Sequence, residues 1–354
     1  MKVTNITARL VSVPLHEPFV ISLGTITAAD SVFVTVETDT GLVGHGEGAG
    51  LDRVTGETPS MVLDAVTTLE PAVLGCDPFA IHEVHRAMDA ILVHNGAAKA
   101  ALDIALYDIM AQAAGVPLYR FLGGVASSVE TDMTIGLGTP EVMAARAGKL
   151  VATGYRQIKI KAGSDDDQDR AAIAAIRAAA PHAHLKVDAN QGWTAPQALR
   201  MLDCYREYGV DAVEQPVPCW DLDGLAWVRD HSPIPVMADE SCFTPQDASA
   251  IVRRGAADMI NIKLMKCGGI YPALAINTIA EAAGIRCMVG CMLESSLGIA
   301  AAAHLVAARP NIVFADLDSF SDFDDSGVIG SAFELDAPYI RLTDQPGLGV
   351  KVLV

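Results

Sequence analysis

Basic residues are scarce in this chain: 25 Lys and Arg stand against 43 Asp and Glu, a formal net charge of -18. Phosphate and anionic lipid are held by clustered cations, so the imbalance argues against nucleic acid and against a membrane surface as partners. Cysteine is thin and unpatterned. Cys76, Cys204, Cys219, Cys242, Cys267, Cys287 and Cys291 show neither CxxC spacing nor Cys/His pairs, which argues against zinc and a disulfide framework and for reduced thiols in a cytoplasm. The start, MKVTNITARLVSVPL, lacks the basic region and unbroken apolar run of a secretory signal, so none is expected. The Ala-rich run from Leu297 to Ala308 contains His304 and falls short of the roughly 20 residues that span a bilayer, so it reads as a buried helix.

What is abundant is apolar material. A hydrophobic share of 51% over 354 residues is enough for a large barrel, two domains or both. From about residue 130 to 318, short β-branched runs alternate with helical segments. Strands are expected in MTIGL, QIKIKAG, HLKVDAN, DAVEQP, PVMADES, MINIKL, CMVGCML and IVFADLD, with intervening helices such as TPQDASAIVRRGAA, N-capped by Thr244. Polar residues close these strands at Thr134, Lys161, Asp188, Glu214, Asp239, Lys263, Cys291 and Asp316, at intervals of 27, 27, 26, 25, 24, 28 and 25 residues. That period predicts an α/β fold with a closed barrel whose active site lies at the C-terminal strand ends. An open doubly wound sheet is the alternative. Residues 1–125 read as a separate α+β lobe, 126–325 as the barrel, and 326–354 as a strand-like return to the lobe.

The strand ends carry the chemistry. Asp188, Glu214 and Asp239 end adjacent strands, and three converging carboxylates repel unless a hard cation such as Mg2+ or Mn2+ joins them. Taken singly, each would be an ordinary helix cap. Lys159 and Lys161 alternate on one strand and point the same way, so like-charge repulsion is expected to lower their pKa values. On an exposed edge strand the same pair would mean nothing. Lys263 ends the strand four places round the ring from that of Lys161, which sets two amines across the mouth with the metal group between them. Such a pair removes a proton from one face of a carbon and returns it to the other, while the metal stabilises the enediolate beside a carboxylate. Racemisation or epimerisation is implied; a Schiff-base aldolase is the alternative. Asp316 and Asp318 alternate on the eighth strand and suit a substrate ammonium, or else a solvated turn.

At these residues the sequence resembles the enolase superfamily, in its muconate-lactonising subgroup. The resemblance runs through AALDIALYDIMAQAAGVPLYRFLGG, KIK, VDAN, VEQP, ADES, NIKLMKCGG and CMLES, in that order. It implies a modified TIM barrel, (β/α)7β, with an N-terminal α+β capping domain. It further implies Mg2+ on Asp188, Glu214 and Asp239, an acid/base pair of Lys161 and Lys263, and Lys159 on the substrate carboxylate. Glu240 and Glu294 would support Lys263, Asn190 would support the metal site, and Thr134 and Met292 would line the substrate. The Asp316-Leu317-Asp318 motif resembles that with which dipeptide epimerases bind a free amino group, and Arg53 to Thr58, RVTGET, resembles their capping-lobe loop. Specificity is then expected near residues 18–30 and 48–58. Ala-Glu epimerases carry an arginine in the first of these, where FVISLGTITAAD has Gly24 and Thr25 and no basic residue. Neutral or hydrophobic dipeptides are therefore expected over Ala-Glu. A muconate-type cycloisomerase, an N-acylamino acid racemase and an o-succinylbenzoate synthase are the alternatives within the superfamily, and a homo-oligomer is expected by the same likeness. Trp193 and the histidines are expected to pack rather than bind.

Overall fold

The computed structural model of the protein describes residues 1–21 and 24–353. The chain opens with an antiparallel sheet of β1 (Val3–Ile21), β2 (Gly24–Thr38) and β3 (Val43–Gly48), ordered as numbered. Helices α1 (Pro59–Val73), α2 (Ile81–Ile91) and α3 (Gly96–Ala113) follow. The period-two face of β3 explains how sheet and helix meet. A Cβ at Gly44, Gly46 or Gly48 would come within 2.1, 1.9 or 2.6 Å of the carbonyl oxygens of Ala105, Ala101 and Ala97 on α3. Two strand residues and four helix residues both advance about 6–7 Å, so glycine on every second position of β3 keeps contact with alanine on every fourth position of α3.

After the one-turn α4 (Leu118–Phe121) and the short β4 (Ser128–Glu130) the barrel begins. Its strands are β5 (Met133–Ile135), β6 (Gln157–Lys161), β7 (His184–Asp188), β8 (Val210–Glu214), β9 (Val236–Ala238), β10 (Met259–Ile262), β11 (Arg286–Gly290) and β12 (Ile312–Asp316). They lie parallel in sequence order, and the Asp132 N–H donates to the Ala315 carbonyl at 3.1 Å to bring the first strand against the last. This circular arrangement rules out the open doubly wound sheet. The crossovers are α5 (Pro140–Ala152), α6 (Asp166–Ala179), α7 (Ala195–Glu207), α8 (Leu222–His231), α9 (Pro245–Arg254), the pair α10 (Leu264–Cys267) and α11 (Ile270–Ala282), and α12 (Ser296–Ala308). Beyond β12 the described chain continues into a 3-10 turn, Ser319–Ser321, in place of an eighth crossover, which is the (β/α)7β pattern.

Several helices start on one local device, threonine before proline. Thr58-Pro59, Thr139-Pro140 and Thr244-Pro245 open α1, α5 and α9, where the ring fixes a helical φ and removes an N–H that would lack a partner. Thr244 forms the expected cap, its Oγ1 accepting from Asp247 N–H at 3.1 Å while Asp247 accepts from Thr244 N–H at 2.9 Å. The run from Leu297 is the buried α12, and among the described residues no helix is long and apolar enough to cross a membrane. The floor of the barrel is filled by Ala212, Met237, Met259 and Met288 with Phe314 beside them. Trp193 is buried against Tyr205.

The chain ends in four short strands, β13 (Ile329–Ser331), β14 (Phe333–Asp336), β15 (Tyr339–Leu342) and β16 (Lys351–Val352), of which β15 pairs with β4. Three buried carboxylates then tie the N-terminal elements to the rest. Glu47 points away from the glycine face of β3 and accepts from Ser295 N–H and Gly298 N–H at 2.9 Å each, at the start of α12. Asp103 accepts from the Ile270 and Tyr271 N–H groups at the start of α11 and pairs with His85 at 2.7 Å. Asp108 accepts from His45 N–H and from Leu348 N–H in the C-terminal segment. Each uses an oxygen acceptor where a helix start or loop leaves backbone donors unpaired.

Candidate active site

The mouth of the barrel gathers charges that would be costly to bury singly. One oxygen from each of Asp188, Glu214 and Asp239 lies within 4.8 Å of the others, and all three residues are buried. Lys159, almost fully buried, stands among them, its Nζ 3.0 Å from Asp188 Oδ2, 2.9 Å from Glu214 Oε2 and 2.7 Å from Asp316 Oδ2. Lys161 Nζ is 2.7 Å from Asp188 Oδ2 and donates to Asn190 Oδ1 at 3.0 Å. On the far side Lys263 Nζ lies 3.1 Å from Asp239 Oδ2. Lys161 and Lys263 thus approach the carboxylate group through its two end members, and both line the same cleft with Thr134, Cys291, Met292, Asp316 and Asp318.

The electrostatics follow from this geometry. Burial pushes Glu214 up to about 8, with repulsion from Asp188 adding to it. The same burial acts on Asp239, but Lys263 and Lys266 outweigh it and hold that carboxyl well below the usual range. Lys159 corrects the expectation of mutual lysine repulsion. Burial disfavours its charge, yet Asp188, Asp316 and Glu214 more than compensate and hold it well above an ordinary lysine. Lys263 is likewise raised, Asp239 overcoming burial. Carboxylates within contact distance dominate a like charge further along the strand.

Glu240 accepts from Asn190 Nδ2 at 3.1 Å and Glu294 accepts from Met292 N–H, and the charge of Lys263 acts on both carboxyls. Asn190, held at a left-handed φ of 40° with its N–H on Asp188 Oδ1 at 2.9 Å, bridges Lys161 to Glu240. Burial lifts Glu240 to about 7 and Glu294 to about 8, with Asp239 adding to the first and Glu47 to the second.

Asp316 and Asp318 also stand together, with Asp132 as third member of a second buried acidic group whose oxygens lie within 4.8 Å of one another. Thr134 spans the pair: its N–H donates to Asp318 Oδ2 at 2.6 Å and its hydroxyl to Asp316 Oδ1 at 3.3 Å. Lys159 overcomes burial to hold Asp316 low, whereas burial and the adjacent Asp316 push Asp318 up to about 7. Asp132 pairs beneath with Lys186 at 2.5 Å.

Sequence reasoning passed over Asp132, Lys186 and Lys266. The signal for Asp132 and Lys186 was alternation, since each lies two residues before a polar strand end, Thr134 and Asp188. Lys266 lies one helical turn after Lys263, and its Nζ donates to Asp239 Oδ1 at 2.5 Å and to the Asn261 carbonyl at 3.0 Å.

Above the mouth, a second cavity of about 330 Å3 runs between β2, the segment after β3, and Met292 and Leu293. Of the 18–30 segment, residues 22 and 23 lie outside the described residues. Gly24 and Thr25 line this cavity, and so does Arg53. A Cβ on Gly24 would lie 1.4 Å from Arg53 Nη1. The segment that lacks a basic residue therefore has one delivered to it from the neighbouring loop.

Comparison with known proteins agrees with the fold. Residues 3–123 match the mandelate racemase / muconate lactonizing enzyme N-terminal domain, and residues 142–353 match the enolase C-terminal domain-like family. A hydrophobic dipeptide epimerase of Enterococcus faecalis is 45% identical over 99% of both chains. An L-Ala-D/L-Glu epimerase of Clostridium acetobutylicum is 41% identical, again over 99% of each. The crystal structure of the Enterococcus faecalis V583 dipeptide epimerase, complexed with Mg and L-Leu-L-Tyr, superposes with a TM-score of 0.96 at 45% identity over 99% of both chains.

Proposed function

The chain belongs to the mandelate racemase/muconate lactonizing enzyme family of the enolase superfamily, and from that premise we propose that it is a dipeptide epimerase inverting the α-carbon of the C-terminal residue. The observation that carries this reading is the pairing of two groups in one cleft: Lys161 and Lys263 at the two ends of a three-carboxylate cluster, with Asp316 and Asp318 alongside.

The carboxylate cluster fits a hard divalent cation. Its donors are all oxygen, they lie within 4.8 Å of one another, and their mutual repulsion is what a cation would relieve. Mg2+ or Mn2+ held by Asp188, Glu214 and Asp239 would supply Lewis-acid stabilisation of charge on the substrate carboxylate. Lys159 adds a fixed positive charge there. Asp316 and Asp318 receive the dipeptide ammonium, a use for paired carboxylates that a lactonising reaction lacks. One lysine of the pair, uncharged, takes the α-proton as an enediolate forms, and the other, charged, returns a proton to the opposite face.

Neutral or hydrophobic dipeptides are the favoured substrates. Arg53 puts a cation at Gly24, but Asp30 and Asp52 line the same cavity, so it carries no net positive charge to hold a glutamate side chain, while Ile26, Leu51, Pro59 and Met292 give it apolar walls. The relative that acts on hydrophobic dipeptides supports the same preference. Incubation with a mixed L,L-dipeptide library and Mg2+ in D2O, read by mass shift, tests both parts. Deuterium should enter neutral dipeptides at the C-terminal α-carbon; lactone chemistry without dipeptide exchange would refute the reading, and Ala-Glu far outrunning Ala-Leu would refute the preference.

A further inference from the structure

The cavity beside Gly24 carries more information than its lack of net positive charge. It adjoins the catalytic cleft through Met292 and Leu293, which line both. On the epimerase reading, a side chain on the carbon between Lys161 and Lys263 would extend into this cavity past that shared wall. Arg53 and Met292 both line it. Small residues, Gly24, Ala28, Ala49 and Gly50, stand among the apolar side chains of the same lining.

The position of Arg53 depends on glycine at residue 24. That residue has a φ of +141°, which few side chains adopt, and a Cβ there would lie 1.4 Å from Arg53 Nη1 and 2.4 Å from Cζ. The guanidinium and a side chain at position 24 compete for one volume. Glycine gives it to the arginine.

A planar cation and a polarisable sulfur lining one cavity attract the same partner. Guanidinium groups bind the face of an aromatic ring, and thioethers bind ring edges. A carboxylate would meet Asp30 and Asp52 as well as Arg53. An aliphatic side chain would fill the cavity but gain nothing from the cation. Resting on the reading of the protein as a dipeptide epimerase, we propose that Arg53 is a specificity-determining residue that selects dipeptides with an aromatic C-terminal side chain by binding the ring face.

The test uses a substrate pair with the same carbon skeleton, one ring aromatic and the other saturated. Initial rates of α-deuterium incorporation are measured with Mg2+ for L-Ala-L-Phe, L-Ala-L-cyclohexylalanine and L-Ala-L-Glu, in the unaltered protein, Arg53→Met and Arg53→Lys. The unaltered protein should favour phenylalanine over its saturated analogue about three- to fivefold in kcat/KM. Arg53→Met should bring that ratio near unity, and Arg53→Lys, which keeps the cation, should retain part of it. Equal rates for the two substrates in the unaltered protein overturn the inference, as does a ratio that Arg53→Met leaves unchanged, or a loss in Arg53→Met confined to Ala-Glu. Exchange with none of the three dipeptides overturns the epimerase reading and takes this inference with it, whereas exchange without ring preference overturns the inference alone.

Discussion

Lys266 holds Asp239 twice, donating to its carboxylate Oδ1 and to its backbone carbonyl, each at 2.5 Å, while Lys263 lies 3.1 Å from the other carboxylate oxygen. The first lysine fixes the direction of the carboxylate and leaves Oδ2 facing the cluster. Groups that orient metal ligands typically change affinity by about 10- to 100-fold when removed. Lys266→Met should therefore weaken Mg2+ binding by that order in a calorimetric titration, with or without dipeptide present. Unchanged affinity would show that Asp239 is held by the fold without it.

The ammonium site is tested by substrate charge. Asp318→Asn keeps the shape of the side chain and an acceptor for Thr134 N–H, but removes a carboxylate from the pair with Asp316. A charge-assisted hydrogen bond contributes about 1.5–3 kcal/mol, so KM for a free dipeptide should rise about 10- to 100-fold. An N-acetylated dipeptide, which has no ammonium, should show no such rise. Equal effects on both substrates would place Asp318 in a structural role.

Glu47 offers a measure of how the N-terminal elements are fastened to the barrel. Its two oxygens accept from the Ser31 and Ser295 hydroxyls as well as from the Ser295 and Gly298 N–H groups. Glu47→Ala leaves these buried donors unpaired and should cost about 3–5 kcal/mol by urea denaturation. Glu47→Gln, which keeps one acceptor, should cost less.

His304 links stability to pH. Its Nδ1 accepts from Tyr119 N–H at 3.0 Å, so its proton sits on Nε2, which faces the Leu348 carbonyl at 3.1 Å. Burial lowers its pKa from 6.5 to about 4. As pH falls below 6.5 the unfolded chain takes up this proton first, so stability is lost between pH 6.5 and 4 and is fully present above that window. The loss attributable to this group approaches about 3 kcal/mol at the acid end. His304→Gln should flatten the pH dependence in that interval relative to the unaltered protein; identical slopes would contradict it.

The barrel was legible because its period is coarse. Each of the eight expected strands is present, since β-branched runs such as QIKIK and MINI are short, apolar and closed by a polar residue whose spacing repeats. The assembly of the carboxylate cluster was legible for the same reason: register along parallel strands brings Asp188 opposite Glu214. What the sequence concealed depends on approach between distant segments. Arg53 lies outside the 18–30 segment, and only the folded loop shows its guanidinium beside Gly24. The charge of Lys159 was misjudged because its neighbour Lys161 is visible in the sequence, while Asp316, 157 residues away, is not visibly its partner. Glu240 and Glu294 follow strand ends as expected, while their hydrogen-bond donors, Asn190 and the Met292 N–H, depend on turn geometry that the sequence does not display.

The two-lysine account is tested most directly by stereospecific exchange in Lys161→Ala and Lys263→Ala, each incubated with Mg2+ in D2O and separately with the L,L and L,D forms of one neutral dipeptide. Each variant should cease to interconvert the epimers, and each should retain α-deuterium exchange with one epimer alone, the L form for one variant and the D form for the other. Exchange surviving with the same epimer in both variants, or epimerisation surviving in either, would contradict the assignment of the two amines to opposite faces of one carbon.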